Sequence, residues 1–157
     1  MTMFATKITQ FLDSQGVSYT LLPHQTAAVS IEDAARQRGI RTSQMVKSML
    51  LRDMGGMIAL ACCPGNRSVD PKKVRATLDC RRMTCVEKEQ VEPLTGYKIG
   101  TVAPLLLKRH MPILFDHSIK DEDCITISSG DRLAGIALHR EDLTQLCTPI
   151  WADICKM

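Results

Sequence analysis

The chain has 157 residues, of which 45% are hydrophobic and 24% charged, and its formal net charge is +3. This size and composition predict one globular domain, residues 1–157, with its own core. Its apolar runs are too short to cross a membrane, and the amphipathic N-terminus lacks the apolar centre of a secretory signal. We therefore expect a cytoplasmic protein with no membrane partner.

Positive charge is concentrated in the middle of the chain. Residues 36–109 carry 15 Lys or Arg against 6 Asp or Glu, whereas residues 110–157 carry 4 against 8. A basic region on a nearly neutral chain favours a partner that carries phosphate groups. A solvated, lysine-rich surface gives the same count, so charge alone leaves both interpretations open.

The seven cysteines are odd in number and contain no C-x-x-C pair, although Cys62 and Cys63 are adjacent. Adjacent residues of a strand face opposite sides of the sheet, so this pair is poorly arranged to hold one metal ion. We predict free, mostly buried thiols in a reducing compartment, with no metal and no other cofactor. A catalytic cysteine is the alternative, but no histidine near in sequence supports it.

Periodicity and turn residues predict alternating helices and strands in the first half of the chain. In chain order these are a helix over 6–15, a strand over 18–22, a helix from Ser30 to about Gly39, and strands over 45–53 and 57–63. Ser30, with an acid three residues later, forms a capping pattern. The turn at 54–56 pairs the last two strands as a hairpin.

The second half continues in the same way. In chain order it has a helix over 71–78 that opens on Asp70-Pro71, a strand over 80–85, a helix over 87–96, strands or hairpin arms over 112–116, 124–131 and 134–143, and a last helix over 141–147. Interleaved strands and helices without a repeat or linker predict a mixed α/β domain. We expect a central mixed sheet with helices outside it.

Two polar residues lie in or next to predicted strands. Lys47 belongs to the apolar segment "QMVKSMLL", and lysine is seldom fully buried. Lys47 therefore either extends to the strand edge or points into a cavity where an anion meets it, and both options stay open. His24 follows a strand and either lines a cleft or, as we expect, is a satisfied surface histidine.

The loop "YKIGTVAP" contains mostly small residues between Gly100 and Pro104. Glycine has no side chain, so backbone N–H groups near it can approach a ligand closely. Such a loop can present amides to a developing oxyanion. The turn "ISSGD" at 127–131 is also small and rich in hydroxyls, but by itself it predicts an ordinary hairpin. The phosphate-loop, G-x-G-x-x-G, H-E-x-x-H and G-x-S-x-G signatures are absent.

These pieces, taken in order, resemble the YbaK family of free-standing aminoacyl-tRNA deacylases, which is similar to the editing domain of bacterial prolyl-tRNA synthetases. The resemblance is carried by "VKSMLL", "VDPKKV", "TGYKIGTVAPLLLKRHMPILFD", "ITISSGDR", "HREDL" and "WADI". Each motif is modest alone, but their order and spacing are specific and span nearly the whole chain. The resemblance implies a mixed α/β fold with a largely antiparallel central sheet curled around a pocket and helices outside.

The resemblance also implies a function and a set of site residues. The activity is hydrolysis of the ester of a mischarged aminoacyl-tRNA, with Cys-tRNA(Pro) or another small amino acid on tRNA(Pro) as substrate. Lys47 and Gly100 fall on the catalytic positions, Lys47 holding the terminal nucleotide or the ester region. The implied substrate-binding residues are Thr101, Val102, Ala103, Pro104, Asp116, Ser128, Ser129 and Gly130.

The implied partners are the acceptor end of tRNA and prolyl-tRNA synthetase, and not DNA. Two other functions stay open: a catalytically inactive tRNA- or synthetase-binding module of the same fold, and a hydrolase or binder for a small free molecule. The chain departs from the family pattern at Ser129 and Thr101, where glycine is common. It also lacks the acid that some members carry on the next strand, where it has 133–137. These departures lie around the amino-acid pocket, so they affect the identity of the removed amino acid more than the type of reaction.

Overall fold

The structure, a computed structural model, describes residues 5–157. Five α-helices are present in this part of the chain: α1 (Lys7–Ser14), α2 (Ile31–Arg38), α3 (Pro71–Leu78), α4 (Lys88–Thr95) and α5 (Arg140–Cys147). Eight strands alternate with them: β1 (Tyr19–Pro23), β2 (Val46–Asp53), β3 (Ile58–Pro64), β4 (Met83–Cys85), β5 (Ile113–Asp116), β6 (Cys124–Ser128), β7 (Ala134–His139) and β8 (Ile150–Ala152). The predicted mixed α/β class is confirmed.

The strands form two sheets. One is antiparallel with the order β1-β7-β6, and the other is mixed with the order β4-β2-β3-β5-β8. In the mixed sheet β5 runs parallel to both β3 and β8, whereas β2 pairs antiparallel with β3 and β4. A bridge between Met45 and Thr126 links the start of β2 to β6. The strands therefore wrap around a shared interior.

The main core packs the two sheets together. Leu60 and Phe115 of the mixed sheet join Ile127 and Ile136 of the antiparallel sheet in one buried cluster, and Ile8 of α1 joins them. A second cluster lies on the other side of the mixed sheet, where Val74 of α3 packs on it. Both faces of the mixed sheet are thus covered, which explains the nearly continuous apolar character of β3.

The helix ends follow the capping residues in the sequence. The Ser30 hydroxyl accepts a hydrogen bond from the Asp33 amide, and Gly39 ends α2 with a φ of 72°. Asp70 caps α3 in the same way, and Pro71 occupies its first turn. The predicted hairpin is also present, as β2 and β3, whereas β8 was not predicted. No helix in residues 5–157 is long and apolar enough to cross a membrane.

Candidate functional site

A cavity of about 310 Å³ lies where α2, the end of β6 and the loop around Gly100 meet. One wall is largely apolar and comes from α2, the segment before it and Met45, and the rest is polar. The lining residues are His24, Ala28, Val29, Ser30, Ile31, Ala34, Arg38, Met45, Gly100, Ser128, Asp131 and Arg132. The cavity therefore combines an apolar surface with a few polar groups, as small-ligand sites do.

Gly100 and Ser128, which come from two separate motifs, meet at this cavity. Gly100 has a φ of 85°, in the left-handed region that favours glycine. The Ser128 hydroxyl donates a hydrogen bond of 2.8 Å to the carbonyl of Thr101, and it accepts one of 3.0 Å from the amide of Gly130. Ser128 thereby fixes the Gly100 loop against the end of β6.

The other loop residues are used by the fold. The Thr101 amide and hydroxyl both donate to the carbonyl of Lys98, at 2.9 and 2.7 Å, so that amide is already engaged. Ala103 is fully buried in the main core, and Val102 packs against the same cluster. Pro104 lines a different cavity, beside α1 and α5. Of the five predicted residues in this loop, Gly100 is the one that lines the cavity.

The two residues after Ser128 close the connection between β6 and β7. The buried Ser129 hydroxyl donates to the carbonyl of Ala134 at 2.7 Å and accepts from the amide of Asp131 at 3.1 Å. Gly130, with a φ of 92°, lines a neighbouring cavity beside Tyr97. Asp131 lines both cavities, so this turn forms the wall between them.

Asp116 lies at the end of β5 and anchors the C-terminal segment. Its carboxylate accepts hydrogen bonds from the amides of Ile154 and Cys155, at 2.9 and 3.2 Å, and from the amide and hydroxyl of Ser118. Burial by itself raises the pKa of Asp116, but these hydrogen bonds outweigh it and hold the pKa at about 2. Asp116 is not among the residues that line the cavity.

Lys47 is not among the residues that line the cavity. Its Nζ donates a hydrogen bond of 2.6 Å to the carbonyl of Arg67. Met45, two residues earlier, does line the cavity. Two residues of an extended chain span about 7 Å, so the backbone of Lys47 lies near the cavity, whereas its ammonium group is held at Arg67.

A further cavity, of about 540 Å³, is mainly basic. Its lining includes Lys72 and Arg75 of α3 together with Arg82 and Lys156. Arg67 connects it to Lys47, because one Arg67 Nη donates to the carbonyl of Lys156 at 3.3 Å. Part of the positive charge counted in the sequence is therefore gathered on one surface, which begins beside Lys47.

Arg38 is a site residue that the sequence interpretation did not identify, and His24 is one for which the less favoured interpretation, lining a cleft, holds. The expectation that His24 is a surface histidine is wrong: it is 8% exposed and lines the cavity. Arg38 donates from Nε to His24 Nε2 and from Nη1 to the Thr126 hydroxyl, both at 3.0 Å. Burial, and then the Arg38 charge, lower the pKa of His24, so its ring is neutral at pH 7. These partners are far apart in sequence, and no local pattern signals their contact.

All seven cysteines are free. Three of them, Cys62, Cys63 and Cys155, are buried, whereas Cys85 and Cys124 are exposed, so the expectation of mostly buried thiols is wrong. Burial raises the pKa of Cys147 and of Cys155 to about 12, so both are thiols at neutral pH. Within the described residues, no group of three or more His, Cys, Asp or Glu side chains is arranged to hold a metal ion.

Known proteins resemble this chain in sequence and in fold. The family model of the aminoacyl-tRNA editing domain matches residues 25–146. The chain is 29% identical to YwhH of Bacillus subtilis over 133 residues, 84% of each protein. It is 25% identical over 126 residues, 80% of this chain and 77% of the other, to an Enterococcus faecalis protein named "Putative Cys-tRNA(Pro)/Cys-tRNA(Cys) deacylase EbsC".

One solved structure, described as a putative trans-editing enzyme for prolyl tRNA synthetase, superimposes with a TM-score of 0.84 at 22% identity. The superposition covers 100% of this chain and 99% of the other. At this identity the likeness concerns the fold, which agrees with the family match over most of the chain. The resemblance seen in the sequence is therefore confirmed, and this chain belongs to the aminoacyl-tRNA editing domain family.

Proposed function

We propose that the chain is a trans-editing deacylase that hydrolyses the ester between a mismatched small amino acid and the 3′ end of tRNA, with Cys-tRNA(Pro) as its substrate. The observation that carries this proposal is the meeting of Gly100 and Ser128 at one cavity in a fold of the editing family. The name of EbsC supports cysteine and tRNA(Pro) as the substrate. The described trans-editing structure supports prolyl-tRNA synthetase as a partner.

The chemistry requires little from the protein beyond positioning. An aminoacyl ester is already activated, so correct placement and charge stabilisation are sufficient for hydrolysis by water. In the proposed arrangement the ester lies against the backbone at Gly100, while Ser128 keeps that loop in place. Asp131 offers its carboxylate to the α-ammonium group of the amino acid. With a cysteine substrate, the substrate's own thiol is a second candidate nucleophile.

The basic cavity is the proposed binding surface for the tRNA. We assign Lys72, Arg75, Arg82 and Lys156 to phosphates of the acceptor stem, because clustered cations bind phosphate and release counterions. Lys47 is linked to this surface through Arg67. In this arrangement it contacts the terminal nucleotide or the ester, after its ammonium group leaves the carbonyl of Arg67.

The test is deacylation of tRNA(Pro) carrying labelled cysteine, alanine or serine. We expect one of these amino acids to be released faster than in buffer. We expect Lys47→Ala to slow that release about 100-fold, the usual effect of removing one electrostatic group from an active site. Ser128→Ala slows it about tenfold through a loosened loop. Lys88→Ala, an exposed lysine at the start of α4, is the matched control and leaves the rate unchanged.

Release no faster than in buffer for all three esters contradicts the proposal. A gel shift of tRNA that weakens with salt would then identify a binding module of the same fold. Absence of a shift would point to a small free molecule as the ligand.

A further inference from the structure

Arg38 brings a partly buried positive charge to the cavity. It is the last residue of α2, and it lines the same cavity as Gly100. Its two hydrogen-bond acceptors, His24 Nε2 and the Thr126 hydroxyl, are both uncharged at neutral pH. Burial lowers the pKa of Arg38 to about 10, so the guanidinium still carries its charge at pH 7.

No carboxylate neutralises this charge. The five ion pairs found in residues 5–157 do not include Arg38. Asp33 on the same helix is taken by Arg36 and by the amide of Val29. Asp131, in the same cavity, accepts a hydrogen bond of 2.7 Å from the amide of Leu133 and forms no ion pair with Arg38, so its carboxylate remains open to a cation of the ligand. A charge that is partly withdrawn from water and has no ionic partner carries a desolvation cost, which an anionic ligand would offset.

The chain makes room for this guanidinium at Gly135. A Cβ atom there would lie 2.3 Å from Nε and 2.4 Å from Cζ of Arg38. The φ of Gly135 is outside the left-handed region, so the backbone does not require glycine. Gly135 is paired with Ser128 across β6 and β7, which places the guanidinium beside a cavity residue. Arg38 and Gly135 thus form a matched pair.

Unused donors are available at the same place. A guanidinium has five N–H groups, and Arg38 uses two of them on His24 and Thr126, which leaves three. His24 accepts at Nε2, so its ring proton is on Nδ1, and that buried atom has no hydrogen-bond partner among the described residues. The Arg132 carbonyl lies close enough to raise the pKa of His24, but not in hydrogen-bonding geometry.

We propose that Arg38 makes this cavity a binding site for an anionic group of the ligand, a carboxylate or a phosphate, held by charge-assisted hydrogen bonds from the guanidinium. The proposed function supplies the two sources, because this inference rests on an aminoacyl-tRNA ligand. If the anion is a phosphate of the terminal nucleotide, the removed amino acid is small and neutral, as proposed above. If the anion is a side-chain carboxylate, the removed amino acid is aspartate or glutamate.

Four small probes separate these sources in a titration of the full chain followed by NMR. Aspartate α-methyl ester is compared with asparagine methyl ester, and AMP with adenosine. We expect one anionic probe to bind at least tenfold tighter than its neutral analogue. Arg38→Leu removes that preference, whereas Arg36→Leu, an exposed arginine on the same helix, keeps it. Equal binding within both pairs, or a preference that survives Arg38→Leu, overturns the inference.

Two further variants keep the test decisive if Arg38→Leu fails to fold, which thermal unfolding reveals. Gly135→Ala displaces the guanidinium without removing it and should also abolish the preference. Arg38→Lys keeps the charge but loses the planar donor set, and we expect an intermediate preference. A preference unchanged in both variants contradicts the inference.

Hydrolysis of Cys-tRNA(Pro), measured on the same preparations, separates this inference from the proposed function. Hydrolysis without any anion preference refutes the anion site alone. An Arg38-dependent preference without hydrolysis of any ester refutes the deacylase and keeps the anion site.

Discussion

The hydrogen bonds to Asp116 give a prediction that separates a structural role from a role at the substrate. The carboxylate ties the amides of Ile154 and Cys155 to the end of β5. We expect Asp116→Asn to lower the free energy of unfolding, because the amide side chain carries no negative charge and has one acceptor oxygen where the carboxylate has two. Ester hydrolysis per folded molecule should stay unchanged, since Asp116 does not line the cavity.

The magnitude follows from the pKa of Asp116. It is about 2 in the folded protein, against about 3.9 in an unfolded chain. This difference corresponds to about 2–3 kcal/mol of stability. Because the folded-state pKa is the lower one, this stability is fully present above about pH 4 and is lost as the pH falls towards about 2.

Urea unfolding of the wild type and of Asp116→Asn at pH 7 and at pH 2.5 tests this reasoning. We expect the difference in unfolding free energy to be about 2–3 kcal/mol at pH 7 and to shrink markedly at pH 2.5, because that pH approaches the folded-state pKa of Asp116. The other carboxylates titrate alike in both proteins, so their contributions cancel in the difference. Asp153→Asn, at an exposed ion pair with Lys73, is the control and should cost less than about 1 kcal/mol. Unchanged stability together with lost hydrolysis would refute the structural role.

Two further predictions concern the cavity and the basic surface. Gly100→Ala and Gly16→Ala should each cost about 1–2 kcal/mol in thermal unfolding, because both sites have positive φ and open space around a new Cβ. Only Gly100→Ala should slow deacylation. Equal rates for the two variants would show that Gly100 has no role in the reaction. Arg82→Ala should reduce the slope of log affinity for tRNA against log salt by about 1, as expected for one lost phosphate contact. Arg52→Ala on β2 should leave the slope unchanged, and a slope unaffected by Arg82→Ala would place the tRNA elsewhere.

Much of the local structure was predictable because its causes lie within a few residues. Ser30 and Gly39 mark both ends of α2 through their own backbone and side-chain preferences. The hairpin of β2 and β3 follows from a tight turn between two apolar runs. The order of motifs along the chain indicated the family, and the family match over residues 25–146 confirms it.

The site depended on contacts between distant parts of the chain. Arg38 reaches His24 and Thr126, 14 and 88 residues away, and its place over Gly135 exists only after β7 pairs with β6. Lys47 and Asp116 each lie on a strand among apolar neighbours in the sequence. Both side chains form hydrogen bonds to groups outside the cavity lining. The sequence by itself determined the elements, their caps and the family, because those depend on local preference and on motif order. Which side chains face the cavity was decided by the pairing and the two-sheet packing of strands, because a side chain's direction and its solvation are fixed only when the sheets close on each other.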